Sequence, residues 1–592
     1  MCIRDRGSTA HLLDVLATSR PAIVNDVKVS DADFLSDHRL VSATVATRVV
    51  KPVVTRASRN IRSIDTAKFD SALRQSELFS RPATTVDSFV EQLDAVLTRL
   101  LDDMAPVRLR RRRDPKPTSK WLSDDAIASK RRRRRLERRW RKSGAEADRQ
   151  IYRRACREAN QLINQSRSDY YRQRIESVGA DCRKRWKVVR ELLHHNDRGA
   201  TRQDDENRNL CHTFSNYFVD KICRLQSTVR NKLHMLNIVS AAGSSDLPYS
   251  GPGFSAISPV TAAEVLKLLH SAPPKSSRMD TVPTSLLLAV SETFSEIIAY
   301  LANLSFSEGR FPTKFKSASV TPLLKSDHLD KTAPASYRPI SNLNFISKIL
   351  ERLFLQRFQP HILASPNFNK HQSAYRPGHS TETALLLLLD NIFHAADSGK
   401  STLLVSLDLS AAFDTIEHST LLQRLIYSFG VTGTALSWIK CYLTDRNQSV
   451  CIGQYSSPVV PCSVGVPQGS VLGPLLFSIY TSSIAAVAQS HGVLQQQYAD
   501  DTQLYIALTS SDPSCELAAI QSCLTSLQVW FYTNGMALNP DKSHAILFGT
   551  AQRAQSFSGL QSIDVAGSAT SLVSHIKLLG RISRLDWRLC AV

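Results

Sequence analysis

The sequence predicts an α+β fold in which short strands alternate with longer helices. Three stretches have the length of strands: the apolar run Thr402 to Leu407 and the strand-like stretches Val493 to Tyr498 and Thr502 to Leu508. Two longer stretches, Ser380 to Asp397 and Pro513 to Asn534, have the length of helices. Because both kinds of element alternate along this part of the chain, we expect a sheet that is covered by helices.

The length of the chain, 592 residues, predicts several domains with enough material for a large core. Changes in composition divide it into four parts: residues 1–50, a mostly helical and basic connector at 51–253, alternating elements at 254–550, and a last segment at 551–592. Ser240 to Gly253, rich in Ser, Gly and Pro, is typical of a linker.

The charge of the chain predicts a polyanionic partner. The formal net charge is +21, and residues 108–142 alone hold 17 basic and 4 acidic residues, a net of +13. Six adjacent cations in this stretch are Lys130, Arg131, Arg132, Arg133, Arg134 and Arg135. Like charges this dense repel unless they are neutralised, so we expect nucleic-acid binding. A solvated helix face and a nuclear import signal are the alternatives.

Cysteine spacing and hydropathy exclude several other classes of protein. The 11 cysteines are scattered without a Cys-x-x-Cys pair, so the sequence indicates neither a zinc site nor a disulfide framework. Reduced thiols in the cytosol or nucleus are the simplest interpretation. No apolar run approaches the length of a membrane span, and Ala384 to Leu389 is far too short, so no membrane partner is expected.

Two adjacent acids mark the most informative point of the sequence. Tyr498-Ala-Asp500-Asp501 places both carboxylates at a tight hairpin between two predicted strands, and a third acid, Asp408, ends the strand Thr402 to Leu407. Adjacent carboxylates repel, so a fold gains little from holding them together unless a cation neutralises them. Three such acids can hold two Mg²⁺ ions for phosphoryl transfer. A polar hairpin turn is the alternative, since Asp is common there.

Further motifs follow in order from about residue 254 to 580. They are Lys316-Ser-Ala-Ser-Val-Thr-Pro-Leu-Leu-Lys325, Ser336-Tyr-Arg-Pro-Ile-Ser-Asn342, Gln372-Ser-Ala-Tyr-Arg-Pro-Gly-His-Ser-Thr381, Asp408-Leu-Ser-Ala-Ala-Phe-Asp414, Gly465-Val-Pro-Gln-Gly-Ser-Val-Leu-Gly473, Asn534-Gly-Met-Ala-Leu-Asn-Pro-Asp-Lys-Ser543 and Lys577-Leu-Leu-Gly580. With the acidic hairpin, this series resembles the reverse transcriptase of LINE-type (non-LTR) retrotransposons, of the jockey or chicken-repeat type.

The resemblance implies a right-hand polymerase with fingers and palm that uses two Mg²⁺ ions, or Mn²⁺ in their place. Asp408 and Asp500 would bridge the ions, Asp501 would support one of them, and the carbonyl group of Leu409 would complete a coordination shell. Phe413 would pack beneath the sugar of a bound nucleotide and exclude ribonucleotides by crowding their 2′-hydroxyl. An ordinary core aromatic is the alternative for Phe413.

Several residues are candidates for contacts to the substrate. Lys316, Arg338 and Arg376 are candidates for the triphosphate, because ammonium and guanidinium groups pair with phosphate oxygens. A surface charge is the alternative for each of them. Gln468 offers both a donor and an acceptor to a nucleotide or template, and Gly469 would let the backbone pass close to a base pair or template sugar.

Two more expectations concern the region around this site. Lys542 occupies a position that the resemblance makes a general acid toward the leaving pyrophosphate, and a charge in an Asn-Pro-Asp-Lys turn is the alternative. The apolar stretch from Val471 to Ile484 predicts one helix beneath the site, with Pro474 as an awkward residue near its start.

The two ends of the chain resemble the family less well. His11 to Leu16 and the Ser-Asp37-His38 stretch resemble the end of an apurinic-type endonuclease domain, in which Asp14, Asp37 and His38 match phosphodiesterase positions. A helix cap or loop pair is the alternative for Asp37 and His38. Most of that domain would precede Met1, so we expect no DNA nicking by this fragment. After Gly580 the sequence departs from the family, so we expect the thumb to be largely missing.

The predicted function is an RNA-directed DNA polymerase, in which a primer 3′-hydroxyl attacks the α-phosphorus of a deoxynucleoside triphosphate. The implied partners are the element RNA as template and a nicked DNA target as primer, and protein partners stay open. The expected location is the nucleus, with a cytoplasmic ribonucleoprotein stage. A catalytically impaired RNA-binding remnant and a group II intron-type maturase are the alternatives. An RNA-dependent RNA polymerase is disfavoured by Phe413.

Overall fold

The structure is a computed structural model in which the chain forms two compact units. The first unit comprises residues 1–59 and 107–197, and the second comprises 60–106 and 198–592. The described residues are 2–6, 9–14, 24–30, 40–45, 55–111, 121–179, 185–186, 188–189, 204–236, 246–509 and 511–579.

Helices and strands alternate along the second unit, as the sequence predicts, and the α+β class is confirmed. The elements of both units are numbered together in chain order. The helices are α1 (Thr66–Arg74), α2 (Glu77–Ser80), α3 (Val86–Met104), α4 (Asp124–Ser143), α5 (Glu146–Glu176), α6 (Asp204–Met235), α7 (Ala262–Ser271), α8 (Thr284–Ala289), α9 (Ser291–Glu308), α10 (Phe345–Ala364), α11 (Thr381–Asp397), α12 (His418–Phe429), α13 (Gly433–Leu443), α14 (Gly473–Tyr480), α15 (Ile484–Ser490), α16 (Ser514–Thr533) and α17 (Ala551–Gln555). The strands are β1 (Cys2–Arg6), β2 (Thr9–Asp14), β3 (Val24–Ser30), β4 (Leu40–Val45), β5 (Thr55–Ser58), β6 (Arg108–Arg111), β7 (Ser317–Leu324), β8 (Tyr337–Asn342), β9 (Ser401–Leu407), β10 (Arg446–Ile452), β11 (Tyr455–Ser456), β12 (Val460–Cys462), β13 (Leu494–Tyr498), β14 (Asp501–Leu508), β15 (His544–Phe548), β16 (Ser562–Val565) and β17 (Ser568–Ser571).

The palm is an antiparallel sheet in the order β13-β14-β9-β15. Its strands β9, β13 and β14 confirm the three strands that the sequence predicts. Alternate residues of β9 face opposite sides, as a pleated strand requires. Leu403 and Val405 join the main core, whereas Leu404 packs with Leu388 and Ile392 of α11. Helices therefore cover the palm, and the ends of β9 and β14 are fixed in register.

The fingers contain a mixed sheet in the order β11-β10-β7-β8, with β12 paired to β10. Strand β7 runs parallel to β10 and antiparallel to β8. Helix α6 packs on this sheet, where Phe214 and Phe218 bury their rings against Val320 and Val450. The fingers sheet and α6 together border the cavity described below.

The predicted connector is divided between the two units. Helix α3 has apolar residues at helical spacing, and Phe89, Val90 and Leu93 are buried in the same core as the palm. The ring of Phe89 lies 4.8 Å from that of Tyr300 on α9. Residues 60–106 therefore belong with the rest of the second unit, because their apolar face requires its core. The predicted boundary at residue 254 misses this packing between distant segments.

The predicted helix from Val471 to Ile484 is wrong in one respect, since it is two helices. Pro474 lies in the first turn of α14, where its missing N–H group is not needed, so it begins this helix without disturbing it. The hydroxyl groups of Thr481 and Ser482 donate to the carbonyl oxygens of Phe477 and Ser478. These local bonds accompany the break before α15 begins.

The first unit contains three strand pairs and a helical hairpin. The pairs are β1 with β2, β3 with β4, and β5 with β6. Gly144, with φ of +65°, ends α4 and allows α5 to fold back, and Trp140 stacks on Tyr152 at 5.4 Å. Among the described residues of both units, no helix has the length and hydropathy needed to cross a membrane.

Candidate active site

The acidic hairpin closes as the sequence predicts. Tyr498 pairs with Asp501, which leaves Ala499 and Asp500 as a two-residue turn between β13 and β14. Asp501 is the first residue of β14, and Ala499 adopts φ of +57° in the left-handed region. Left-handed backbone is common in such turns, although Ala is an unusual residue to adopt it.

Asp408 is held beside this hairpin by the sheet and by a neighbouring turn. It follows β9 directly, and the last residue of β9, Leu407, pairs with Thr502, the residue after Asp501. The Asn539 N–H donates to the Asp408 carbonyl at 2.9 Å, and the Asp408 N–H donates to Ser543 Oγ at 3.3 Å. The predicted acids, from separate motifs, therefore meet at one edge of the palm.

Electrostatic interactions show that these carboxylates affect one another. Burial, together with the charges of Asp500 and Asp408, raises the pKa of Asp501 to about 6. Burial also raises the pKa of Asp408, opposed by the Lys542 ammonium and reinforced by Asp500. The Nζ of Lys542 lies 3.9 Å from Asp408 Oδ2. Buried acids that repel one another favour a bound cation.

The acids fit a divalent metal by the type of their donor atoms. Among the described residues, no group of three or more acidic, histidine or cysteine side chains is arranged so that it could hold a metal ion by itself. Mg²⁺ is commonly bound by one or two carboxylates together with water and substrate phosphates, so a complete protein shell is not required. Leu409 pairs with Leu538 across an isolated bridge, and the role of its carbonyl group stays a prediction.

A cation cluster formed by Lys221, Lys325, Arg338 and Lys542 lies beside the acids. Burial lowers the pKa of Lys325, and the charges of the other three lower it further. Arg338 lies opposite Leu323 in the pairing of β7 with β8, near the end of β7 that Lys325 follows. Lys542 belongs both to this cluster and to the Asp408 pair, so one cation links the cluster to the acids.

Lys316, which the sequence suggested for the triphosphate, lies at the other end of β7 from Lys325. Eight residues of β7 separate the two lysines, which are therefore roughly 30 Å apart at about 3.3 Å per residue step. Lys316 is 4% exposed, so its alternative as a surface charge is wrong. Lys325, at the end of the same motif, was missed because the sequence does not show which end of β7 approaches the acids.

A cavity joins the cation cluster to the predicted nucleotide-binding loop. Its lining includes Lys221, Lys325, Ser341, Asp414 and Gln468. Gln468 therefore lies on the same cavity as two of the cations, as a substrate contact requires, and its role stays a prediction.

Gly469 has a different structural reason from the one predicted. Its φ is +122°, and an added Cβ would lie 2.7 Å from the carbonyl oxygen of Ser341. The Ser341 N–H also donates to the carbonyl of Gln468 at 2.9 Å. Glycine is required here because the loop touches β8 of the fingers, so the predicted approach to a base pair is not needed to explain it.

The other predicted substrate residues are held by protein contacts. Arg376 Nη1 donates to the carbonyl oxygen of Lys370 at 2.8 Å, and its guanidinium lies 5.7 Å from the centroid of the Phe368 ring. Phe413 is partly buried and stacks on Phe477 at 4.7 Å. Arg376 therefore orders its own loop, and the proposed contacts of both residues to nucleotide stay predictions.

Glu351 and Tyr375 are site residues that the sequence did not single out. The carboxylate of Glu351 is fully buried and accepts from the N–H groups of Val471 and Leu472 at 2.7 and 3.1 Å. It thereby holds the loop that follows Gly469. Tyr375 is 46% exposed, and its partial burial raises its pKa, as does the charge of Asp500. Burial in the fold is what distinguishes Glu351, so no local sequence signal could have identified it.

The predicted basic run lies on α4 in the first unit. Arg131, Arg134 and Arg135 are exposed, whereas Lys130 and Arg133 are partly buried. Arg132 is also exposed and pairs with Glu158 of α5 at 3.4 Å. The run is thus a largely solvent-accessible basic helix face, which fits either a nucleic-acid contact or a solvated surface.

The endonuclease resemblance gains little from the structure. Asp14 ends β2, whose backbone pairs it with Cys2. Asp37 and His38 lie outside the described residues. The three positions therefore form no site that can be described, and the endonuclease remnant stays a prediction.

Comparison with known proteins defines the class. Residues 325–580 match the family model described as reverse transcriptase (RNA-dependent DNA polymerase). This segment includes the three acids and Lys325, and it places a reverse transcriptase domain on the palm and part of the fingers. The predicted enzyme class is confirmed for this domain.

The relatives that the chain resembles are polymerases from mobile elements. The chain is 29% identical over 431 residues to a probable RNA-directed DNA polymerase from transposon BS of Drosophila melanogaster, covering 69% of this chain and 46% of that one. It is 28% identical over 298 residues to the RNA-directed DNA polymerase from mobile element jockey of the same species, covering 49% and 32%. The predicted resemblance to non-LTR retrotransposon polymerases is thus confirmed, and the chain spans less than half the length of these relatives.

A comparison with solved structures gives a match over part of the chain. Apo telomerase from Candida Tropicalis matches with a TM-score of 0.32 and 12% identity, covering 43% of this chain and 48% of that one.

Proposed function

We propose that the chain copies element RNA into DNA by two-metal nucleotidyl transfer at Asp408, Asp500 and Asp501. The observation that carries the proposal is the meeting of these acids at one edge of the palm, with Lys542 of the cation cluster 3.9 Å from Asp408. The three acids suit two divalent metal ions, and the basic side chains of the cation cluster suit a polyphosphate. Such a pair of sites is what transfer of a nucleotide from a triphosphate requires.

The residues of the site have distinct tasks in this reaction. When bound, Mg²⁺ supplies electrostatic stabilisation of the phosphate charge that develops during the displacement. Asp408 and Asp500 would hold the ions, and Asp501 would support one of them. Lys325 and Arg338 bind the triphosphate oxygens by charge-assisted hydrogen bonds. These contacts orient the α-phosphorus toward the primer 3′-hydroxyl.

The leaving group also requires a proton. As the primer oxygen bonds to the α-phosphorus, its hydroxyl proton passes to water, the bond from that phosphorus to the bridging oxygen breaks, and pyrophosphate departs. Lys542, which is 68% exposed and 3.9 Å from Asp408, reaches the space between the acids and the cation cluster. It donates its Nζ proton to the departing pyrophosphate.

The proposed partners are an RNA template, a DNA primer at a nicked target and deoxynucleoside triphosphates. The names of the relatives, which are RNA-directed DNA polymerases of a transposon and a mobile element, support the template and product classes. The exposed arginines of α4 would hold nucleic acid by phosphate contacts. Target-primed synthesis places the working protein in the nucleus, after a cytoplasmic ribonucleoprotein stage.

Primer extension tests this proposal. The full chain is incubated with poly(rA)/oligo(dT), dTTP and Mg²⁺, beside Asp500→Ala and the control Asp397→Asn, which changes an exposed acid at the end of α11. The proposal predicts extension by the wild type and the control and none by Asp500→Ala. Salt-sensitive RNA binding without extension by any of them would instead support an RNA-binding remnant.

A further inference from the structure

We infer that Gln372 is a positioning residue that holds the turn bearing Asp500 in its active geometry. The inference rests on the proposed function and extends it to a residue outside the acid and cation sets. It comes from the hydrogen bonds of one buried side chain.

The side-chain amide of Gln372 forms hydrogen bonds to both the N–H group and the carbonyl oxygen of one turn residue, Ala499. We call this pair of hydrogen bonds the Gln372 grip. Its side chain is fully buried, its Oε1 accepts from the Ala499 N–H at 2.9 Å, and its Nε2 donates to the Ala499 carbonyl at 3.0 Å. Its Oε1 also accepts from the Ala374 N–H at 3.1 Å, which fixes the orientation of the amide. A glutamine amide is suited to this contact because it carries a donor and an acceptor side by side.

The turn needs such a partner. The β-ladder ends at the pair of Tyr498 with Asp501, so it provides no bond for the polar groups of Ala499. Ala499 is also held at φ of +57°, which is an unfavourable conformation for a residue with a Cβ. Gln372 satisfies the polar groups and stabilises the left-handed conformation. Asp500 is the next residue, so its carboxylate follows the position of Ala499.

The segment that carries Gln372 is itself anchored to the strand leading into the turn. The Gln497 N–H donates to the His371 carbonyl, and the Ser373 N–H donates to the Gln497 carbonyl, each at 2.9 Å. Side chains of β13 add further bonds: Gln495 Nε2 donates to Asn369 Oδ1 at 2.9 Å, and Gln496 Nε2 donates to Ser373 Oγ at 2.7 Å. These bonds fix the register of Gln372 opposite Ala499.

The geometry argues against a direct substrate contact for Gln372. Its side chain has no exposed surface, and both ends of its amide are already bonded to the backbone. It therefore acts through the turn. Misplacement of a catalytic group by about 1 Å can lower a rate by roughly 100-fold, so loss of the grip should reduce turnover.

Three variants of the full chain test the inference. Gln372→Leu removes the two hydrogen bonds to Ala499 at similar side-chain volume. Gln372→Glu makes these bonds depend on the protonation of the new carboxyl group. Gln495→Leu is the control. Gln495 is 5% exposed, its Nε2 bonds to the same segment, and its Oε1 lacks a partner among the described residues, so this control removes a buried amide without touching Ala499. Measured quantities are kcat, KM for dTTP, the half-saturating Mg²⁺ concentration and the thermal midpoint.

Gln372→Leu should lower kcat by roughly 10- to 100-fold and raise the half-saturating Mg²⁺ concentration, with KM for dTTP changed less than about threefold. Gln495→Leu should keep kcat within about threefold of the wild-type value, even when its thermal midpoint falls as far as that of Gln372→Leu. Equal kcat losses in the two variants at equal thermal midpoints would overturn the inference.

Gln372→Glu provides a signature that a loss of folding would not produce. A buried glutamate has a raised pKa, and its protonated form offers a donor and an acceptor like the amide. Its activity relative to the wild type should therefore rise severalfold as the pH falls from 8.5 to 6.5. A ratio that stays constant or falls over this range would contradict the grip.

Hydrogen exchange of the 494–508 peptide separates this inference from the proposed function. Gln372→Leu should lose protection at Ala499 and Asp500 while Gln495→Leu keeps it. If the wild type extends no primer, the proposed function fails and this exchange result alone decides on the grip. Unchanged protection in Gln372→Leu would refute it.

Discussion

The ammonium group of Lys542 lies 3.9 Å from Oδ2 of Asp408, so a member of the cation cluster contacts one of the acids directly. The contact follows from the backbone. Lys542 ends the 3-10 turn Pro540–Lys542, and the neighbouring Asn539 N–H donates to the Asp408 carbonyl at 2.9 Å. The strand that ends at Asp408 thereby sets the position of a proposed proton donor.

Replacement of Lys542 should slow chemistry more than it weakens nucleotide binding. A positioned general acid contributes about 100-fold or more, so Lys542→Met should lower the single-turnover incorporation rate by roughly that factor. Arginine retains the charge but is a poor proton donor, so the incorporation rate of Lys542→Arg should lie between those of the wild type and Lys542→Met. A Lys542→Met rate within about twofold of wild type would exclude the general-acid role.

Lys325 and Lys316 should differ in the step that they affect. Lys325→Met removes a cation beside Arg338 and should raise KM for dTTP by roughly 10-fold or more, as loss of a charged hydrogen bond does. Lys325→Arg should recover part of that loss. Lys316→Met alters a residue that is 4% exposed and should change the thermal midpoint while leaving KM within about twofold. The reverse pattern in steady-state kinetics would return the triphosphate contact to Lys316.

The exposed arginines of α4 should contribute a salt-dependent term to RNA binding. Each phosphate contact to single-stranded nucleic acid adds about 0.7 to the slope of log K against log salt. Arg134→Ala with Arg135→Ala should therefore reduce the slope by about 1.4. The matched pair Arg153→Ala with Arg157→Ala removes two exposed cations from α5 instead. An equal or larger change from the α5 pair, measured by filter binding over a salt series, would assign the contact to α5.

Asp414 predicts a specific pH dependence of stability. Burial raises its pKa to about 6, while the charge of Lys221 opposes that rise. The pKa of Asp414 is higher in the folded protein than in the unfolded chain, where it is about 3.9. The protonated carboxyl group therefore contributes fully to stability below the unfolded pKa, and this contribution is lost as the pH rises through about 6. Asp414→Asn should therefore gain stability relative to wild type between pH 5 and pH 8.

The urea midpoint of the wild type and of Asp414→Asn, taken at pH 5 and pH 8, measures this difference. The exposed control Asp397→Asn should show a constant difference from wild type at the two pH values. A midpoint difference for Asp414→Asn that is also independent of pH would show that Asp414 titrates normally.

The sequence predicts the palm well because its signals are local. An apolar run of strand length gave β9, an acidic turn between two such runs gave the β13–β14 hairpin, and Ser380 caps α11 as a helix start requires. Asp408 could join the acids because each lies at a strand end. These predictions needed no knowledge of distant contacts.

The features that were missed depend on distant contacts. Lys325 and Lys316 flank the same strand, and only the packing of the fingers decides which one approaches the acids. Gly469 is required by Ser341, which lies more than a hundred residues earlier in the chain. Gln372 was part of a quoted motif, but its grip on Ala499 depends on pairing with β13. Periodicity and motif order carry none of this information.

Addition of one dTTP to a DNA primer on an RNA template, followed for the full chain with Mg²⁺, tests the proposed active site most directly. Asp408→Asn keeps the shape of the side chain and removes the charge that would hold the ions. Because metal stabilisation amounts to several kcal/mol, it should lower the rate by roughly 1,000-fold or more, while Asp397→Asn behaves as wild type. Undiminished incorporation by a folded Asp408→Asn protein would contradict a nucleotidyl transfer site at these acids.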